Sequence, residues 1–100
     1  MSETNPENGV RFTLELLRGA KDGRYRYSGF ARKSATEIPL TVDVVVTGEE
    51  VAVSASAAED AGEIGKALAK VAVPLVRTAV RSAVVRGHSV PRQVQRWRDV

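Results

Sequence analysis

His88 is the only histidine in the chain, and there is no cysteine. Nucleophilic catalysis needs a nucleophile and a base converging in space, with a third group orienting the base; Ser89, adjacent to His88, cannot converge on it in this way. Asp43, Glu49 and Glu50 could gather carboxylates, but they surround a turn, where paired acids ordinarily serve solubility. The spacings Gly-x-Gly-x-x-Gly, Walker A, His-Glu-x-x-His and the EF-hand loop do not occur. Lacking cysteine, the chain has no disulfides, thiolate metal sites or cysteine nucleophile. The sequence therefore predicts no catalytic residues, no cofactor and no metal.

Charge is the more telling chemistry. Ten of the twelve acidic residues precede Ala61, whereas Ile64 to Arg98 holds Lys66, Lys70, Arg77, Arg81, Arg86, Arg92, Arg96 and Arg98 with no carboxylate among them. A basic end of this kind points to an acidic partner. The elements that carry those charges decide whether they form a surface.

Val10, Phe12, Leu14 and Leu16 alternate with Arg11, Thr13 and Glu15, the period of a strand with one buried face. Gly19 to Gly23 reads as a loop of about five residues. Beyond it, Tyr25 and Tyr27 alternate with Arg24, Arg26 and Ser28. That alternation sends the tyrosines to the core and leaves Phe30 exposed with Arg24, Arg26 and Arg32, one aromatic being a poor stacking platform. After a polar loop over Arg32–Glu37, Ile38, Leu40, Val42, Val44 and Val46 mark a third strand with Pro39 near its start. A turn at Thr47–Glu50 leads into Val51, Val53 and Ala55. Strands are expected at about 10–18, 24–32, 38–47 and 50–56, forming two consecutive antiparallel hairpins.

The cover for this sheet is a helix over about 59–86. Glu59, Asp60 and Glu63 supply negative charge to its first turn, with Ser56 a candidate cap just upstream. At about 100° per residue, Ile64, Leu68, Val71 and Leu75 gather on one side for the sheet, opposite Lys66, Lys70, Arg77 and Arg81. A second apolar line, Ala69, Val73, Val76, Val80 and Ala83, follows heptad spacing. It is either part of one broad face wrapped by the chain's own sheet or a seam for a second helix. Pro74 would bend this helix or divide it, and Gly87 ends it.

The closing segment, Ala83 to Trp97, is similar to a helix-turn-helix: alanine four residues before Gly87, then Ser89, an apolar residue and an Arg-Trp pair. The resemblance spans about fifteen residues and implies a second helix, about 90–98, presenting Arg and Gln to a DNA groove. It departs from the pattern by one residue too many between Gly87 and Val94, and by the four strands before it. Without such a role, Val90, Val94 and Trp97 simply dock a short amphipathic helix.

The sequence thus predicts an α+β domain over 10–100, a four-stranded antiparallel sheet covered by a long, Pro-kinked helix plus a short terminal one, with 1–9 a flexible tail. No apolar run suffices to span a bilayer, the start lacks a signal-peptide pattern, and a cytoplasmic location is expected. The expected role is a non-enzymatic binding or adaptor module that self-associates, as a two-fold dimer, through Ala69, Val73, Val76, Val80 and Ala83. The alternative is nucleic-acid binding through Arg77, Arg81, Arg86, Arg92, Arg96 and Arg98.

Overall fold

The structure, a computed structural model, describes residues 9–99. Of the tail expected over 1–9, residues 1–8 lie outside them and Gly9 opens the first strand instead. Five strands and one long helix follow in the order β1 (Gly9–Lys21), β2 (Arg24–Lys33), β3 (Thr36–Thr47), β4 (Glu50–Ala57), α1 (Gly62–Val85) and β5 (Gln93–Asp99). The sheet is antiparallel throughout, ordered β4-β3-β2-β1-β5.

The four predicted strands form as a meander of three hairpins; the turn between β3 and β4 falls where expected, and the other two are tighter. β1 runs on to Lys21, and the first turn is only Asp22-Gly23, both at positive φ (63° and 74°). A two-residue type I′ turn demands that conformation, and the Asp-Gly pair supplies it. Two register shifts in β1, between Leu16 and Arg18 and between Arg18 and Lys21, absorb residues 19–21, which the sequence predicts as loop. The polar stretch Arg32–Glu37 is likewise mostly strand, leaving Ser34 and Ala35 as the turn, because Arg32 pairs with Glu37 and Lys33 with Thr36.

α1 is a single helix that continues through Pro74, and it begins later than expected. Glu59–Ala61 form one 3-10 turn ahead of it, and Ser56 lies within β4, so neither helix start has a side-chain cap. Its end follows the sequence closely. Gly87, at φ 72°, donates to the Val84 carbonyl and His88 to that of Ala83, the paired bonds of a Schellman motif.

The main correction is the last element. Residues 93–99 form strand β5 against β1 instead of a second helix, so the helix-turn-helix arrangement is not present. The nine-residue helix expected over 90–98 would have little intrinsic stability, whereas β1, whose Val10, Phe12 and Leu14 have no exposed surface, would otherwise carry an unpaired edge beside the core. Val94, opposite Leu14, is the apolar side chain that β5 contributes to that core.

The core lies between α1 and one face of the sheet. β1 gives Val10, Phe12 and Leu14, β2 gives Tyr27 and Ala31, and β3 gives Ile38, Leu40, Val42 and Val44. From α1 come Leu68, Ala69, Ala72, Leu75, Val76 and Val80. The buried stripe is therefore centred between the two apolar lines read from the sequence: Val71 is half-buried and Ile64 exposed, while Ala69, Val76 and Val80 face the sheet. The described residues span 18 Å along their shortest axis, the depth of one sheet and one helix, and none of them covers the sheet's second face.

Candidate binding surface

The residues proposed from sequence to meet a partner fall into separate places. Ala69, Val76 and Val80 are buried by the chain's own sheet, and Val73 and Ala83 remain half-buried. Arg77, Arg81 and Arg86 stand on the solvent side of α1 and, with Thr78, Ser82 and Val85, line an open hollow of about 350 Å³. Arg92 is exposed just before β5 and lines a second open hollow with Glu15, Leu16 and Gln93. Arg96 and Arg98 lie in β5, where they donate to the carbonyls of Gln95 (2.7 Å) and Trp97 (3.2 Å). The six arginines are thus split between the helix exterior and one sheet edge.

The strand at 93–99 assembles a surface that a helix there could not. Alternation places Gln93, Gln95 and Trp97 on the face opposite Val94, so these three join the open side of the sheet. One cross-strand row reads Trp97, Arg11, Arg32, Glu37, and the next reads Gln95, Thr13, Phe30, Pro39. A third reads Gln93, Glu15, Ser28, Thr41, Ser56. The register that exposes Phe30 beside the arginines is the one expected, and Trp97 is the aromatic that the sequence reasoning missed. Its signal was the alternation Gln93-Val94-Gln95-Arg96-Trp97, masked by the equally good helical spacing of Val90, Val94 and Trp97.

Trp97 is positioned by a glycine. A Cβ built on Gly9 would fall 1.8 Å from the indole ring, so the ring lies directly over the bare backbone of β1. The Gln95 and Trp97 carbonyls accept from arginines at the sheet edge and therefore point away from β1. This makes Arg11–Trp97 a non-hydrogen-bonded pair, in which Cα atoms approach to about 4.5 Å and side chains are closest. Trp97 keeps 37% of its surface exposed and Phe30 46%. They are two strands and two residues apart, roughly 12 Å at ordinary strand spacing and rise.

Ion pairs divide the arginines of this face. Arg26 donates to both carboxylate oxygens of Asp43, at 2.7 and 3.4 Å, and this bond and charge raise its pKa further above the ordinary arginine value. Arg32 approaches Glu37 only to 4.0 Å. Arg11 and Arg24 make no ion pair among the described residues. Cations are therefore available beside Trp97 and at the far end of β2, with the centre neutralised.

No group of acidic or histidine side chains among the described residues has metal-binding geometry, and His88 is exposed in the turn after α1. Among the described residues, no helix is long and apolar enough to cross a membrane. No family model matches the chain, and no curated protein or solved structure shows significant similarity to it.

Proposed function

We propose that this chain is a small non-enzymatic binding module whose working surface is the open face of its sheet, and that the surface takes single-stranded nucleic acid. The observation that carries this reading is the placement of Trp97, seated on Gly9 and beside Arg11, on the same open face as Phe30 and Arg32. Exposed aromatic rings offer platforms for unpaired bases, each worth about 1–3 kcal/mol, and stacking of this kind is available only to bases out of a duplex. Arg11, with Arg24 farther along the face, supplies cations for the backbone, and Thr13 and Gln95, in the row of Phe30, add hydrogen-bonding groups. A five-stranded face is also too broad for a duplex groove, which admits one helix or a two-stranded ribbon.

The earlier expectation of a basic C-terminal helix at the phosphates gives way to a different residue set with the same class of partner. Arg77, Arg81 and Arg86 are on the other layer of the fold and take no part. Trp97 is the only tryptophan, so its fluorescence reports directly on the surface. Titration with a short single-stranded oligonucleotide at low salt should quench Trp97, with affinity falling as salt rises. Phe30→Ala should weaken binding by about tenfold or more, and Arg11→Ala should flatten the salt dependence. Absence of quenching, or a preference for duplex unaffected by Phe30→Ala, would overturn the reading; the second outcome would mean plain polyelectrolyte attraction.

A further inference from the structure

The sheet has two edges, β4 and β5, and they are built differently. On β5 the outward carbonyls of Gln95 and Trp97 are occupied by the guanidinium groups of Arg96 and Arg98. Charged side chains folded over an edge are a common way of denying it to another strand. β4 has no such guard. From Val51 to Ala57 it reads Val-Ala-Val-Ser-Ala-Ser-Ala, with no charge, proline or glycine, and no residue of β4 is fully buried. Among the described residues, no loop or side chain hydrogen-bonds to β4 outside its ladder with β3.

The direction of its free groups follows from the ladder. The Val46 amide donates to the Gly23 carbonyl, at 2.8 Å, so even-numbered residues of β3 face β2 and odd-numbered ones face β4. Asp43 and Val45 pair with Ser54 and Ala52, which therefore turn their backbone groups inward. The amides and carbonyls of Val51, Val53, Ala55 and Ala57 point outward.

We propose that β4 pairs antiparallel with β4 of a second copy of this chain, about a two-fold axis at Ser54, joining two sheets into one of ten strands. In that register Val51 faces Ala57 and Val53 faces Ala55 as hydrogen-bonded pairs on the helix side. Ala52 faces Ser56, and the two Ser54 side chains meet at the axis on the open side. The strand is its own complement: apolar meets apolar, small polar meets small polar, and no two like charges are opposed. Half-buried Val51 and Val53 gain cover. A foreign peptide fits less well, because alanine and serine side chains form no pockets with which to select its residues. This edge, unlike the helix seam, is reached without opening the core, and the inference is independent of the nucleic-acid reading.

The test is sedimentation velocity of the whole chain across a concentration series into the millimolar range, with circular dichroism confirming the fold of each variant. Wild type should pass from monomer to dimer. Ala55→Pro removes one outward amide and leaves the ladder with β3 intact, and Ser54→Lys opposes two cations at the axis; each alone should be monomeric and folded. Mixing Ser54→Lys with Ser54→Glu should restore a one-to-one dimer. A wild-type monomer at every concentration, or a dimer that survives both Ala55→Pro and Ser54→Lys, would overturn the proposal.

Discussion

The phenolic hydroxyl of Tyr27 donates to the carbonyl of Pro91 at 2.6 Å. Tyr27 has no exposed surface, so this bond ties the middle of β2 to the segment returning from α1 to β5. Burial raises the Tyr27 pKa from 10.0 to about 12. The neutral phenol is therefore favoured in the folded chain, and its contribution is complete below about pH 10 and lost as pH climbs toward 12. Tyr27→Phe should cost about 1 kcal/mol in denaturant unfolding at neutral pH. It should also remove part of the wild-type loss of stability between those two pH values. An unchanged alkaline profile in Tyr27→Phe would place the sensitivity elsewhere.

Val76 and Val73 stand three residues apart on α1 with different surroundings. Val76 has no exposed surface and Val73 is half-buried. Val76→Ala should lower the unfolding free energy by about 2 kcal/mol through lost burial and a residual cavity, and Val73→Ala by markedly less. Because the chain's own sheet covers Val76, that loss should not vary with protein concentration. Equal losses from the two substitutions would contradict this packing.

Pro74 is exposed on a helix that continues through it. Proline there cannot donate to the Lys70 carbonyl and crowds it as well. Pro74→Ala restores the bond without disturbing a packed side chain and should raise stability by about 2 kcal/mol, measured as a shift in denaturant midpoint.

Legibility in the sequence followed the strength of each local signal. Ile38 to Val46 and Val10 to Leu16 carry long alternations with one apolar face, and both strands formed where expected. Asp22-Gly23 was present as a hairpin signal, but bulges at Leu17 and beyond hid its register. On α1 the pattern located the helix, although tertiary packing chose a stripe through Leu68, Ala72 and Val76 lying between two equally plausible apolar lines. β5 is hard to read because Val94 is the one buried side chain among those described in it, too little to separate a period of two from 3.6. What decided it was the unpaired edge of β1, some eighty residues earlier in the chain. The open face inherited that ambiguity, since Trp97 could be placed beside Arg11 only once β5 was a strand.

Pairing of Gly9 with Asp99 and Leu14 with Val94 also sets an order of events. The three hairpins and α1 close through short loops, whereas β5 must find a partner some eighty to ninety residues away and incurs the largest loop-closure entropy. During synthesis β1 emerges well before β5. Until residues 93–99 clear the ribosome, the flank of β1 beside Phe12 and Leu14 stays uncovered and open to strange strands.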